Sequence, residues 1–251
     1  MISRTKAFGI HLALSVTALL VVYVITRTMW YPYPFLAADG GWQAFWLLVG
    51  VSLTVGPPLT LLVFRSGKKA LAFDLSVIVL LQAAAFAFGT HLLYTRRIQI
   101  VVYSQGAFYG LDAGRIAFIG TTGQALLKTL PQRPAYMFVH LPHSKKAMIG
   151  VEIRTLRGEP PIYLRGWRYR PYTAKEQSIA LAHGLPMATL AKTNPVAAAM
   201  LSRFRARHPD LDHYAFVPFH GTYTTIVLAL RRPTGTVAGV LAFNPGAMGK
   251  F

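Results

Sequence analysis

Two groups of histidines are the residue types in this chain best suited to chemistry. His140 and His143 flank Leu141-Pro142, and His208 and His213 flank Pro209-Asp210-Leu211-Asp212, with His220 beyond. Imidazole nitrogens beside carboxylates are the ligands of a hydrolytic zinc site. The spacing argues against one: no His-Glu-x-x-His helix exists, and Pro142 and Pro209 break the intervals that align ligands. The histidines therefore read as loop residues without a metal. No Gly-x-Ser-x-Gly elbow presents a nucleophile, and no P-loop cradles phosphate. The lack of cysteine excludes thiol chemistry, iron–sulfur clusters and Cys-based zinc sites. These residues predict a chain that is not an enzyme and uses no cofactor.

A second constellation is the run Arg165-Gly-Trp-Arg-Tyr-Arg170, where basic and aromatic side chains alternate. On nucleic-acid-binding surfaces that alternation supplies stacking and phosphate contacts. The same pattern suits a loop whose aromatics pack down while its arginines face water. No recognisable nucleic-acid motif accompanies it, so nucleic acid is not expected as a partner. Arg165, Arg168 and Arg170 stand instead as candidate contacts to a protein partner.

These residues hang from an unusual frame. Three apolar runs, at 9–26, 45–64 and 75–93, fill the first third of the chain. At ~1.5 Å rise per residue each makes a rod of about 27–30 Å, enough to cross the hydrocarbon core of a bilayer. Arg4, Lys6, Arg65, Lys68 and Lys69 flank the first run and join the second to the third, whereas the loop between the first two carries Asp39 and only Arg27 at its edge. Basic short loops stay in the cytoplasm, so the N-terminus is expected inside and everything after the third span outside. The first run has the basic start of a signal peptide but no small-x-small site after it, which favours an uncleaved anchor. The expected architecture is three N-terminal transmembrane α-helices in residues 1–94, then an extracytoplasmic α+β domain in 95–251, periplasmic in a bacterium.

The spans hold few polar or irregular features. Asp74 begins the third, where the helix dipole and Lys68 and Lys69 favour an acid; it is also a possible handle for another subunit. Gln82 lies about two turns deeper, and its amide needs a partner, either within the bundle or on a docked helix. Gly56-Pro57-Pro58 must interrupt the second span, because neither proline donates an N–H. The break kinks the helix, and could open a groove for a foreign one.

From Arg96 onward the chain holds 20 Lys and Arg against six acids, of a whole-chain net charge of +18. A basic surface of this kind attracts anionic lipid, acidic polysaccharide or an acidic protein. Strands are predicted at 98–103, 107–111, 136–140, 214–219, 224–230 and 236–243, the last two joined as a hairpin through Arg232-Pro-Thr-Gly235. Short helix is expected between 112 and 134. Thr173-Ala-Lys-Glu176 is a capping box opening a helix that ends near His183, with Gly184 free to take a left-handed cap. Asn194-Pro195 opens a helix that runs to Arg207 and stops at Pro209.

The order of these features resembles the type IV pilin accessory proteins of the TfpX/TfpZ kind, along most of the chain. The resemblance is carried by Arg4-Thr-Lys-Ala-Phe8, Trp30-Tyr-Pro32, Gly56-Pro-Pro-Leu-Thr-Leu-Leu-Val-Phe64 and Gly67-Lys-Lys-Ala-Leu-Ala-Phe-Asp-Leu75, which leads into the span holding Gln82. In the later domain it rests on Tyr169-Arg-Pro-Tyr172, on 211–219 (Leu-Asp-His-Tyr-Ala-Phe-Val-Pro-Phe) and on Thr234-Gly-Thr-Val237. It implies a multi-pass protein of the bacterial inner membrane that helps a cognate pilin subunit or the type IV pilus machinery, without being a pilin. A prepilin needs a glutamate early in one long apolar helix, and here Phe8-Gly9-Ile10 is followed by His11. The rival readings are a membrane-anchored periplasmic hydrolase built on the histidines, and a module binding anionic glycan or lipid through the basic face.

Overall fold

The computed structural model describes residues 3–65, 70–130, 134–142 and 144–246. His143, Gly67, Lys68 and Lys69, all invoked above, lie outside the described residues. The chain divides into two compact units. One gathers the residues up to Leu36 with Gly40–Arg97; the other gathers Ala37–Asp39 with the residues from Ile98 onward.

In the first unit Ser3 caps α1 (Arg4–Ile25) by accepting from the Lys6 N–H, and the rod continues as a π turn, Thr26–Trp30. A single turn, α2 (Phe35–Ala38), lies in the connection. The second rod is α3 (Gly41–Thr54) followed by α4 (Gly56–Val63), and the third is α5 (Leu71–Arg96). Three helical stretches, Arg4–Trp30, Gly41–Val63 and Leu71–Arg96, are long and apolar enough to cross a membrane. Each is a few residues longer than the apolar run it contains or nearly contains, the second starting at Gly41 and ending at Val63. Leu19, Val22, Phe45, Leu48 and Leu93 form the bundle core. Leu62, Leu80 and Phe88 point outward at 71–74% exposure, which suits lipid and would be costly in water.

The second unit is a mixed α+β fold. Among the described residues, seven strands make one sheet: β1 (Ile100–Ser104), β2 (Ala107–Leu111), β3 (Ala135–Val139), β4 (Tyr169–Pro171), β5 (Tyr214–His220), β6 (Thr225–Arg231) and β7 (Val237–Leu241). Their order is β4-β3-β1-β2-β5-β6-β7, with parallel pairs β1–β3 and β2–β5 in a frame otherwise antiparallel. Gln105 and Gly106, at φ 49° and 81°, supply the two left-handed residues of a tight turn between β1 and β2. The parallel pairs need crossovers. α6 (Ala113–Ile116) and α7 (Gly120–Thr129) lead from β2 to β3, and α8 (Lys145–Leu156) from β3 towards β4. α9 (Ala174–Ala182), α10 (Met187–Thr193) and α11 (Pro195–Arg205) lead to β5.

Among the described residues, two hydrophobic cores flank the sheet. Ile100, Val102, Leu111, Met137 and Val139 pack with Leu127 of α7 and Val151 of α8. Phe216, Val227, Ala229 and Leu241 pack with Met187, Ala197, Leu201 and Phe204.

The Thr173–Glu176 capping box is present, and Asn194 Oδ1 accepts from the N–H groups of Val196 and Ala197 at 2.8 and 3.0 Å. Three expectations change. Gly184 does not take a left-handed conformation; an added Cβ there would lie 3.2 Å from the Phe216 nitrogen, so the residue serves a close approach to β5. α11 ends at Arg205, before the arginine run is finished. Helices α8 and α10 occupy sequence that the residue pattern leaves unassigned.

Candidate partner contacts

Gln82 sits where all three rods of the first unit meet. Its Nε2 donates to Ser15 Oγ of α1 at 2.9 Å and to the Ser52 carbonyl of α3 at 3.1 Å. Both bonds lie inside the bundle, which is one of the two roles the sequence allows this amide. Its Oε1 is buried and has no hydrogen-bond partner among the described residues. Gly56 makes this approach possible: a Cβ there would fall 1.5 Å from Oε1.

The Gly56-Pro57-Pro58 break falls at Val55, between α3 and α4. The helical path resumes at once, since the Leu59 N–H reaches the Val55 carbonyl at 3.1 Å. Thr60, one turn on, donates to the Gly56 carbonyl and pairs with His11 Nδ1 at 2.6 Å. An apolar groove of about 480 Å³, lined by Ile10, His11 and Leu14 of α1 and by Val79, Gln82 and Phe86 of α5, opens on one side of the Gln82 node. A smaller cavity of about 230 Å³ lies on the other side, against Val55 and Gly56. Asp74 stands half-buried in the first turn of α5, at the positive end of its dipole.

The basic-aromatic run splits by residue rather than by type. Arg165 is 6% exposed: its Nε donates to the Pro160 carbonyl at 2.9 Å, and its Nη2 reaches Thr155 Oγ1 at 3.2 Å and the Glu159 carboxylate at 3.4 Å. That guanidinium is a clamp on the domain's own loop. Trp167 is instead 57% exposed with the Arg168 guanidinium 4.2 Å over its ring, while Tyr169 packs down and donates to the Tyr163 carbonyl at 2.6 Å. The expectation that arginines face water and aromatics pack inward therefore fails for Arg165 and Trp167. Between them Gly166 lies against the Ile119 carbonyl and Gly123, where a Cβ would have no room. Arg170 is exposed and donates to the Tyr169 carbonyl. Desolvation, then Arg165 and Arg154, press the Arg168 pKa downward.

A site that residue reading passes over lies at Asp39. Its Oδ1 accepts the Thr222 N–H at 2.7 Å, and the Ala38 carbonyl accepts from Tyr223 and Thr224 at 3.1 and 2.9 Å. Oδ2 is buried without a hydrogen-bond partner among the described residues. Burial lifts the carboxyl to a pKa of about 7 against the pull of the Thr222 N–H; Asp112 raises it further and Arg115 lowers it. One acid in an aromatic loop carries no local signal of a partner 183 residues away.

Three of the described histidines sit in separate local pairs. His208 Nδ1 pairs with the Tyr214 hydroxyl, His213 with Asp210 and His220 with Thr225. Among the described residues no group of three His, Cys, Asp or Glu is placed to share a metal.

Comparison with known proteins identifies relatives from one organism. Over 129 residues, 51% of its length, the chain is 33% identical to a fimbrial assembly protein of serogroups C1 and C2 from Dichelobacter nodosus, covering 92% of that protein. Over the same length it is 32% and 33% identical to fimbrial assembly proteins of serogroups I and E1, of which it spans about half, 47% in each case. No protein-family model matches the chain, and no solved structure does.

Proposed function

We propose, for a chain that belongs to the family of fimbrial assembly proteins, a role as a non-enzymatic inner-membrane accessory factor for type IV pili that assists its cognate pilin subunit. The single observation that carries the reading is the 33% identity extending over 92% of a fimbrial assembly protein. The TfpX/TfpZ assignment rests on the motifs and on the order of elements.

The architecture supports the reading. Three apolar rods provide the anchor. Asp39 precedes the second rod and Thr222 follows the third, yet both belong to one compact unit, which supports a path that puts the two segments on one side of the membrane. That agrees with the in-out-in-out path drawn from the basic loops. The dispersal of His208, His213 and His220 into separate local pairs favours a binding role over hydrolysis. The pilin contact is assigned to the features that break the apolar surface of the bundle, Asp74 and the Gly56-Pro57-Pro58 interruption with the groove beside Gln82, and to the half-buried Arg168 and the exposed Arg170.

Deleting the gene and measuring surface pili separately from total pilin tests the proposal. Loss of surface pili, with pilin still made, is the expected result. Normal piliation of the deletion strain would overturn it.

A further inference from the structure

Helix α8 buries one side and leaves a chemically distinctive opposite side uncovered. Ser144 starts it by accepting the Ala147 N–H at 3.1 Å, and Val151, 2% exposed, fastens it to the sheet core with Met148 beside it. Roughly opposite Val151, Ile149, Ile153 and Leu156 stand 56%, 43% and 88% exposed. Their spacing of four and then three places them on one stripe of the helix. Exposed Lys145, Lys146 and Arg157 flank that stripe, with Glu152 the one acid upon it. Arg154 turns away to Glu159 at 3.6 Å.

We infer that this face of α8 lies on an anionic phospholipid surface, its aliphatic stripe entering the headgroup–acyl boundary and its cations pairing with lipid phosphates. The inference rests on the reading of the first unit as membrane-spanning.

Charge complementarity selects the occupant. An aliphatic stripe edged by lysine and arginine is the pattern of an interfacial helix, whose long basic stems lie along the apolar boundary while their charged ends reach the headgroups. A protein partner selects differently, since the cores of protein interfaces are depleted in lysine and enriched in aromatics; this stripe has no aromatic. The excess of 20 cations over six acids after residue 95 makes the whole domain favour a negative surface. The anchor also keeps the helix near a bilayer at high effective concentration, so even a weak intrinsic affinity suffices.

The absence of cysteine makes the test clean. Full-length protein carrying Leu156→Cys, and a control carrying Ser202→Cys on the exposed face of α11, are labelled with a nitroxide. Each is reconstituted into phosphatidylcholine vesicles with and without phosphatidylglycerol. The expected result is several-fold protection of the label at 156 from a water-soluble nickel chelate when phosphatidylglycerol is present. High salt, or Lys145→Gln with Lys146→Gln and Arg157→Gln, should reverse it; glutamine preserves helix propensity, and circular dichroism checks the fold. The label at 202 should stay accessible throughout. A label at 156 equally accessible in both lipids, or protected equally in both, overturns the proposal. Protection that appears only when a pilin is co-reconstituted assigns the face to a protein and also overturns it. Extraction of the chain from vesicles by alkaline carbonate would instead sink the membrane reading, and this docking with it.

Discussion

The carboxylate of Asp39 takes the backbone N–H of Thr222 at 2.7 Å inside a site that buries its second oxygen without a hydrogen-bond partner among the described residues. Two backbone bonds from Tyr223 and Thr224 to the Ala38 carbonyl close the same clasp. A charge held this way is easily neutralised, and burial is the main reason its pKa stands at about 7.

The clasp should therefore loosen as pH rises. A carboxyl whose folded pKa is raised contributes stability fully present below its unfolded value near 3.8, and loses it as pH climbs through about 7. Amides of Tyr223 and Thr224 should show less protection at pH 8 than at pH 5.5, once hydrogen exchange is corrected for its intrinsic pH dependence. Asp39→Asn keeps an acceptor for Thr222 and cannot ionise, so it should flatten that difference. Equal protection of the wild-type amides at both pH values would count against the buried carboxylate.

Topology is testable by fusion. A reporter placed after residue 69 should register cytoplasm, and reporters after Asp39 and near Gly184 should register periplasm, because the short basic loops fix the orientation. The Asp39 and Gly184 reporters must agree, since Ala37–Asp39 and the later domain form one compact unit. Disagreement between them would break the architecture.

Much of this fold is legible in the residues because its signals are local. A capping box at Thr173, an Asn-Pro start at 194 and the apolar, β-branched run of β6 each act over a few positions, and each appears within a residue of where it is expected. Helix α8 is not legible in the same way. It carries apolar residues on two faces, Met148 and Val151 inward and Ile149, Ile153 and Leu156 outward, so no single period emerges. Its signals were Ser144 as a cap and Gly158 just beyond its end. Asp39 escapes for a different reason, a partner 183 residues away, and Arg165 because its burial depends on how the nearby 155–160 segment folds back over it.

The cap of α11 gives a simple stability test. Asn194→Ala removes the acceptor of two backbone N–H groups and should destabilise the second unit by about 0.5–2 kcal/mol. A shift in denaturant midpoint reported by the tyrosine-rich domain would measure it. An unchanged midpoint means the helix has another start.

Arg165 and Arg170 should respond in opposite ways. Arg165→Ala leaves the Pro160 carbonyl and Thr155 without their donor and should cost about 1–3 kcal/mol. Arg170→Ala, exposed, should stay within about 0.5 kcal/mol of wild type. If the basic run meets the pilin, Arg170→Ala should reduce crosslinking to it while the protein's own level is unchanged. Equal destabilisation by both would show that the clamp is not where the strength lies.

Gly56 and Gln82 should behave as one unit. A methyl at Gly56 would land within 1.5 Å of Gln82 Oε1, so the carboxamide must swing away. The flexible side chain can do this without strain in the backbone, but only by releasing Ser15 and the Ser52 carbonyl. Interhelical hydrogen bonds of this kind are worth about 0.6 kcal/mol on average, so Gly56→Ala should cost roughly 1–2 kcal/mol of bundle stability. Gln82→Ala removes the same two bonds and the obstacle together. In its background, Gly56→Ala should cost little, giving the non-additive cycle expected of residues in contact. Thermal unfolding of the detergent-solubilised full chain, followed across all four forms, supplies the cycle. Additive losses would mean that Gly56 serves the proline kink alone, and that Gln82 is free to leave the node for the adjoining groove.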